Sequence, residues 1–261
     1  MQSTREERRD QIVRKLGTAH FASVGELASE LGYSLATIKR DLVELERQGL
    51  VRRTRGGAVP VNRYQIDPPY FMKLSDMEAD RDKDALARVA RHLLRDNLTV
   101  IMDSSTTCLH MIPLIAQYHG IHVITNGVVT AAMLSENTNA EVCILGGVVS
   151  LRHQTINGAK AYNDMLSYSA DLALLSCRGF DPVMGSSEFN EGEALIKQAM
   201  RRQATEVALL VTEDKLGERF VYQSLRCTDI DYFITDAELG EEELSQLDGS
   251  NIEVMRASEY L

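Results

Sequence analysis

From residue 98 onward, short apolar runs rich in β-branched residues alternate with longer stretches of helical character. The runs are LTVIM, HVIT, EVCIL, LALLS, EVALLV and DYFIT. A strand that is apolar along its whole length is buried on both faces, which is typical of a parallel sheet covered by helices on both sides. The alternation therefore predicts an α/β domain with a doubly wound, mostly parallel sheet, and this domain takes up most of the chain.

Polar and small residues follow most of these predicted strands, where parallel sheets bind their ligands. Four consecutive hydroxyl side chains come after the first run, a Gly-Gly pair comes after the third, and lysines stand before and after the fifth. Singly, such features are more often helix caps, turns or solvated charges. Gathered at one edge of a sheet, they predict a pocket for a small phosphorylated molecule. The candidate ligand-binding residues are Asp103, Ser104, Ser105, Thr106, Thr107, Asn126, Gly146, Gly147, Arg178, Lys197 and Lys215.

The first sixty residues have a different pattern, with three short helical periods. The first helix is predicted over 4–17, with a stop at Gly17. Ser23 and Glu26 have capping-box spacing at the start of the second helix, and Ser34 caps the third after the short turn LGYS. The apolar residues at helical spacing, which we expect to form one core, are Leu16, Leu27, Leu31, Ile38, Leu42 and Leu45. Two helices joined by so short a turn have helix-turn-helix geometry.

Basic side chains lie on the surface of the third predicted helix that faces away from this core, and in the segment that follows it. After the third helix, RRTR leads into a turn at Gly56-Gly57 that predicts a β-hairpin wing. Residues 1–60 contain eleven basic and eight acidic side chains, a net charge of +3, whereas the rest of the chain contains 17 basic and 30 acidic ones, a net charge of −13. The alternative is a three-helix bundle that binds another protein, but this charge pattern favours double-stranded DNA. The candidate DNA-binding residues are Ser34, Leu35, Ala36, Thr37, Lys39, Arg40, Arg52, Arg53 and Arg55.

The sequence predicts two domains separated by a linker that contains prolines. The winged helix-turn-helix is expected over 1–58, the linker over 59–75 and the α/β domain over 76–261, which opens with a helix over 82–95. The sequence has neither an apolar run of bilayer length nor the pattern of a signal peptide. We therefore expect a cytoplasmic protein without a membrane partner. The four scattered cysteines are expected to be small buried hydrophobic residues, and no metal or cofactor is expected.

The N-terminal segment SVGELASELGYSLATIKRDLVELERQGLVRRTRGGA resembles the signature of the DeoR-type winged helix-turn-helix regulators of sugar metabolism. It matches the V-x-E-L-A step, the T-I-R-R-D-L helix, the L-E-x-x-G-L step and the R-x-x-G-G-A wing of that signature. Tyr33 replaces the usual small apolar residue of the L-G-V-S turn, and Lys39 stands where arginine is common. The resemblance implies DNA binding, with an operator preference that these two residues can alter.

The large domain resembles the DeoR-type sensor domain, which is similar in fold to ribose-5-phosphate isomerase. The D-S-G-T-T loop, the T-N and L-G-G steps and the E-A-x-x-K helix of that family have counterparts here, with Ser105 in place of the loop glycine. The counterparts are Asp103–Thr107, Thr125-Asn126, Leu145–Gly147 and Glu193–Lys197, and the D-x-S-K-F-G loop is approximated by Glu213–Gly217. Where the related isomerases keep an acidic residue, this chain has Cys177-Arg178. Because arginine cannot act as a general base near neutral pH, the resemblance implies a sensor that binds without turnover.

These features predict a DNA-binding transcription regulator, and specifically a repressor of a carbohydrate-metabolism operon that responds to a phosphorylated sugar-type effector. Operators read by such heads are usually paired half-sites, so we expect a homodimer or homotetramer. One alternative is a phosphosugar isomerase-like enzyme or deaminase with an appended DNA-binding head, and Arg178 argues against it. The other is a protein-interaction scaffold, which would not respond to any phosphorylated metabolite.

Overall fold

The computed structural model of the chain describes residues 5–19, 21–47, 50–54, 56–60, 80–150 and 153–260. The chain divides into two compact units, Met1–Pro68 and Pro69–Leu261. The division falls within the predicted linker 59–75, of which residues 61–75 lie outside the described residues.

The first unit is a winged helix-turn-helix. Its helices are α1 (Arg5–Ala19), α2 (Val24–Leu31) and α3 (Leu35–Arg47), and its strands are β1 (Ala22–Ser23), β2 (Val51–Thr54) and β3 (Gly57–Pro60). The strands form an antiparallel sheet in the order β1-β3-β2. Strands β2 and β3 pair from Val51↔Pro60 to Thr54↔Gly57, so the predicted hairpin wing is confirmed.

The helices of this unit start and pack as the sequence predicts. Glu26 N donates to Ser23 Oγ at 3.1 Å and Ser23 N donates to Glu26 Oε2 at 2.7 Å, which completes the capping box. Helix α2 ends at Gly32, whose φ of +70° is a conformation that glycine adopts without strain. The predicted core residues are buried together, with Leu31 partly buried at the margin; the buried ones are Leu16, Leu27, Ile38, Leu42 and Leu45.

The predicted stop at Gly17 is wrong, because α1 continues to Ala19. A glycine inside a helix costs only about 1 kcal/mol relative to alanine. The free energy gained by burying Ile12 and Leu16 on the preceding turns exceeds this cost, since a fully buried aliphatic side chain contributes about 1.5–3 kcal/mol.

A fully parallel, seven-stranded sheet forms the centre of the second unit, in the order β6-β5-β4-β9-β12-β14-β15. The strands are β4 (Thr99–Met102), β5 (His122–Thr125), β6 (Glu141–Ile144), β9 (Ala170–Ser176), β12 (Ala204–Val211), β14 (Tyr232–Thr235) and β15 (Glu253–Arg256). All six apolar runs are confirmed as strands. The seventh, β15, escaped prediction because an edge strand with charged residues at both ends lacks a continuous apolar run.

Both faces of the sheet are covered, which confirms the doubly wound architecture. Ile101 and Ala173 face one core, which Ile196 and Met200 complete, while Val100 and Leu174 face a second core that contains Leu86. The covering helices are α4 (Arg81–Ala90), α5 (Thr106–Leu109), α6 (Ile112–Ile115), α7 (Val128–Asn137), α8 (Ala159–Met165), α9 (Glu191–Gln203) and α10 (Glu241–Asp248). The helix predicted over 82–95 is shorter, because its last part is a 3-10 turn (Arg91–Leu93).

Short antiparallel strands and turns complete the second unit. Strand β7 (Val148–Ser150) pairs with β8 (Thr155–Asn157), and β11 (Gly185–Glu188) lies between β10 (Gly179–Asp181) and β13 (Tyr222–Leu225). Further 3-10 turns are Glu213–Lys215, Cys227–Asp229 and Ala257–Glu259. Within the described ranges, no helix combines the length and the apolar character that crossing a membrane requires.

The order of the strands reverses between β4 and β9. The chain first adds β5 and β6 on one side of β4, then crosses to β9 and adds β12, β14 and β15 on the other side. In open parallel sheets, ligands bind in the crevice outside the carboxyl ends of the strands at such a reversal. The fold therefore directs attention to the residues that follow Met102 and Ser176.

Candidate functional site

Helix α3 presents most of the predicted DNA-binding residues to solvent. Lys39 and Arg40 are exposed, and neither forms a salt bridge with another described residue. Ser34, Leu35 and Ala36 are exposed as well, and Thr37 is half-buried. The backbone N–H of Thr37 donates to Ser34 Oγ at 3.1 Å. The start of α3 is thus held by its own cap, with two cations available for the phosphates and base edges of DNA.

The wing contributes one described arginine side chain. Arg53 N donates to Glu46 Oε1 at 2.9 Å, and Arg53 Nε donates to Glu46 Oε2 at 2.7 Å. This contact fixes β2 against α3 and lowers the pKa of Glu46. Because the pair is exposed to water, a phosphate can compete with Glu46 for the guanidinium. The side chain of Arg52 and all of Arg55 lie outside the described residues.

In the winged helix-turn-helix unit, Asp41 is an important residue that the sequence analysis missed. Its carboxylate is 2 % exposed and accepts from Arg8 Nε at 2.5 Å and from Arg9 Nε at 3.0 Å. The two arginines belong to α1 and the aspartate to α3, so this cluster ties the recognition helix to the first helix. A charged residue on an amphipathic helix is normally solvated, and only the basic run at the start of α1 hinted at a partner.

In the second unit, Asp103 joins the end of β4 to the end of β9. Its buried carboxylate accepts from Ser105 N through Oδ1 and from Ser176 N through Oδ2, both at 2.9 Å. Such bonds shape the loop after β4. Ser176, the last residue of an apolar run, was missed by sequence reasoning. Its signal was a hydroxyl at the end of the strand beside the reversal.

Lys197 reaches the same place from α9, but its ammonium is already occupied. It is 5 % exposed, donates to Glu188 Oε1 at 2.5 Å and to Ser176 O at 2.6 Å, and lies 3.5 Å from Asp103 Oδ2. The neighbouring carboxylates raise the pKa of Lys197, although burial opposes them, whereas burial raises the pKa of Glu188. The sequence predicts that Lys197 binds an anionic ligand, whereas in the structure its charge balances buried carboxylates.

Lys215 is placed differently. Its Nζ donates to Ser176 Oγ at 3.0 Å and to Thr107 Oγ1 at 3.2 Å, so it bridges the loops after β4 and β9. Among the residues that the structure describes, it forms no salt bridge. Burial lowers the pKa of Lys215. The reversal of the sheet therefore holds a half-buried cation whose hydrogen-bond partners are neutral hydroxyls, and an anion would stabilise it.

In the hydroxyl-rich loop after β4 (Ser104–Thr107), two hydroxyl groups have hydrogen-bond partners and two do not among the described residues. Ser105 caps α5 by accepting from Cys108 N at 3.1 Å, and Thr107 contacts Lys215. The hydroxyls of Ser104 and Thr106 make no hydrogen bond within the described part of the chain. The loop after β5 packs on this loop, since a Cβ at Gly127 would lie 2.9 Å from Ser104 Cα.

Asn126 stands beside this loop with an unused acceptor. Its Nδ2 donates to Thr155 Oγ1 at 2.7 Å and to Ile156 O at 3.3 Å, while its buried Oδ1 has no partner among the described residues. Gly146 and Gly147 follow β6, two strands away from β4, a separation of about 10 Å. Gly146 N donates to Asp164 Oδ2 at 2.7 Å. The structure thus gathers most of the predicted ligand-binding residues at the reversal and leaves the Gly-Gly turn further out.

Further charged residues follow β9 or come from α9 beside it. The guanidinium of Arg178 stacks 4.7 Å from the ring centroid of Phe189. Burial raises the pKa of Glu193 to about 7, and its Oε1 has no hydrogen-bond partner among the described residues. Burial also raises the pKa of Cys177 to about 12, so this thiol is not a thiolate nucleophile near neutral pH.

Comparison with known proteins assigns the chain. The family model of the DeoR C-terminal sensor domain matches residues 78–237, and the model of the DeoR-like helix-turn-helix domain matches residues 8–63. The chain belongs to the DeoR family. The resemblance noted in the sequence is therefore confirmed, and the protein is a DNA-binding transcription regulator.

Individual DeoR-family proteins match along almost the whole chain. The HTH-type transcriptional regulator GlpR of Haloferax volcanii is 33 % identical over 249 residues, which cover 95 % of this chain and 96 % of that protein. The HTH-type transcriptional repressor GlcR of Bacillus subtilis is 30 % identical over 253 residues, which cover 96 % of this chain and 95 % of that protein.

Among solved structures, this DeoR-family chain is similar to ribose 5-phosphate isomerase A of Methanocaldococcus jannaschii. The identity is 13 %, the TM-score is 0.39, and the match covers 54 % of each chain. So distant a likeness adds nothing about activity.

Proposed function

We propose that this DeoR-family regulator is a repressor of a carbohydrate-metabolism operon, and that a phosphorylated sugar bound at the strand-order reversal controls its affinity for DNA. The single observation that carries this proposal is Lys215, a half-buried cation that forms no salt bridge with a carboxylate among the described residues and lies 3.2 Å from Thr107 Oγ1. A phosphate there gains a charge-assisted bond from Lys215. The available hydroxyls of Ser104 and Thr106 donate to the same oxygens.

The remaining predicted residues divide by role. Asn126 Oδ1 is an acceptor for a sugar hydroxyl, because it is buried without a partner among the described residues. Asp103 and Lys197 hold the crevice in shape through the bonds described above. Three candidate ligand-binding residues lie further from Lys215 and would contact the end of the sugar away from its phosphate. They are Gly146, Gly147 and Arg178.

The head reads the operator with the first turns of α3 and with the wing. Lys39 and Arg40 contact the major groove, and the arginines of the wing contact the backbone or the minor groove. We propose a homodimer or homotetramer in the cytoplasm, because such heads bind paired half-sites. The relatives named as a transcriptional regulator and as a transcriptional repressor support this assignment.

Fluorescence anisotropy of labelled operator DNA tests the effector site. We expect a panel of sugar phosphates to contain one that changes the operator affinity of the wild type by about 5–150-fold. Lys215→Gln should abolish this response while operator binding without effector persists. Arg95→Gln, which removes an exposed cation elsewhere in the same unit, is the matched control. A full response in Lys215→Gln would place the effector elsewhere.

One observation favours a second candidate, a phosphosugar isomerase-like activity. Glu193 has a pKa of about 7 and an unbonded oxygen near Lys197, which suits a general acid or base. Against this, Arg178 stands at the position of the isomerase carboxylate. Aldose–ketose interconversion that exceeds background and disappears in Glu193→Gln would establish the enzyme.

A further inference from the structure

A cleft rich in arginine lies on the second unit, away from the strand-order reversal. Its volume is about 270 Å³, slightly below the range of roughly 300–1,000 Å³ that is typical of small-molecule sites. Its walls come from the end of α9 and from the segment that runs from β13 into the 3-10 turn Cys227–Asp229. The polar lining residues are Gln198, Arg201, Arg202, Gln223, Ser224, Arg226 and Asp229. Because α9 leads into the amino end of β12, this end of the helix points towards the opposite edge of the sheet from Lys215.

The three guanidiniums of this cleft have few internal partners. Arg201 Nη1 donates to Ala204 O at 3.3 Å, and Arg202 Nη1 donates to Tyr162 Oη at 2.6 Å. None of the three forms a salt bridge within the described ranges. The carboxylate in the wall, Asp229, accepts from the backbone N–H of Arg226 at 2.9 Å. Each guanidinium has five N–H donors, so most guanidinium donors in the cleft lack a partner among the residues that the structure describes.

The ordinary role of cations at a helix end does not account for this cluster. Arginines in the last turn of a helix offset the partial negative charge of its unpaired carbonyls. That explains Arg201, which binds a carbonyl just beyond α9. It does not explain Arg202, which contacts a tyrosine of α8, or Arg226, which belongs to another element and converges on the same space.

The charge of the chain makes the cluster more unusual. The whole protein carries a formal charge of −10, so like charges repel across most of its surface. The cleft has three positive charges against one negative charge, together with two amide side chains. Guanidiniums bind phosphate oxygens through paired, planar N–H donors.

We propose that this cleft is a second anion-binding site, separate from the effector site, and that it binds the phosphoryl groups of a small molecule. Arg202 and Arg226 hold the phosphoryl oxygens. The amide groups of Gln198 and Gln223 brace the wall of the cleft, because their Nε2 atoms donate to Gln223 O and Met184 O. The site predicts a regulator that responds to two phosphorylated compounds, or to one compound at two concentrations.

Calorimetric titration of the full chain with pyrophosphate at low ionic strength tests this proposal. The titration uses Lys215→Gln as the background, so that binding at the effector site does not obscure the result. Adding Arg202→Gln and Arg226→Gln should weaken pyrophosphate binding at least tenfold. Adding Arg88→Gln and Arg95→Gln, which removes the same charge from exposed positions outside the cleft, should leave it unchanged. If the double variant at the cleft fails to fold, Arg226→Gln alone replaces it.

Three results would overturn the proposal. The first is that pyrophosphate fails to bind the Lys215→Gln background, and the second is that it binds with equal affinity after the arginines of the cleft are replaced. The third is that the variants at the cleft lose operator affinity without any added anion, which would show that these arginines contact the phosphates of DNA. Parallel titrations with inorganic phosphate and a hexose phosphate show which carrier of the phosphoryl group binds more tightly.

Discussion

Replacing Lys197 by alanine should destabilise the second unit rather than switch off its response alone. The ammonium is buried and lies 2.5 Å from Glu188 Oε1 and 3.5 Å from Asp103 Oδ2. Removing one partner of a buried ion pair typically costs about 3–5 kcal/mol, because the remaining charge is left in a poorly solvated place. In a unit of this size, each kcal/mol lowers Tm by about 2–4 °C, so we expect a decrease of about 6–20 °C.

Scanning calorimetry and far-UV circular dichroism measure this effect, since the chain has no tryptophan to report unfolding. Lys160→Ala, at an exposed lysine, is the control and should change stability by less than about 0.5 kcal/mol. The double variant Lys197→Met with Glu188→Gln should recover at least half of the loss, because no carboxylate of the direct pair remains charged. Asp103 keeps its two backbone donors in that variant.

The pH dependence of Lys197→Ala provides a second check. Burial already raises the pKa of Glu188, and losing the neighbouring cation raises it further. A carboxyl group whose pKa is higher in the folded state favours folding at low pH, and that contribution is lost as pH rises through the folded pKa. The deficit of the variant should therefore be larger at pH 8 than at pH 5. A Tm within about 2 °C of the wild type at pH 8 would refute the assignment of Lys197 as a charge-balancing residue.

Three further outcomes are expected. Arg40→Ala should weaken operator binding by about 1–3 kcal/mol in an anisotropy titration. Arg47→Ala, which loses only an exposed ion pair with Glu44 at the far end of α3, should leave operator binding unchanged. Equal effects of the two variants would contradict the assignment of Arg40 to the DNA interface. Asp41→Asn should destabilise the head by about 3 kcal/mol in denaturant unfolding, because two arginines lose their shared carboxylate, and a change below about 1 kcal/mol would count against the cluster. Glu193 has a folded pKa of about 7, above its ordinary value, so wild-type stability should fall between pH 5 and pH 8. In Glu193→Gln this fall should shrink by about 1–3 kcal/mol, with Glu191→Gln as the exposed control, and an unchanged pH profile would disprove the shift.

The sequence predicted the head and the central strands because both depend on regular apolar spacing. Ile38, Leu42 and Leu45 fall on one helical face, and each apolar run supplies a strand that is buried on both sides. The hydroxyl loop and Lys215 were also within reach, since a parallel sheet brings the residues after its strands to one edge.

What the sequence did not predict involves charge that is buried in pairs. Glu188 lies in a short polar strand, GSSE, which has no apolar alternation, and Asp41 lies on a helix whose polar residues are otherwise exposed. Sequence spacing does not show that a carboxylate and a cation from distant segments meet away from water. For the same reason, Lys197 was expected to be free when it is in fact paired.

The two halves of this regulator also differ in how much of the chain each one needs. The DNA-binding unit is contained in the first 68 residues, whereas the contact between Thr107 and Lys215 spans 108 residues of the second unit. During synthesis, the DNA-binding part is therefore complete long before the ribosome has released the last residue of the proposed effector site. A chain that is cut short between these points has the DNA-binding unit but lacks the proposed effector site.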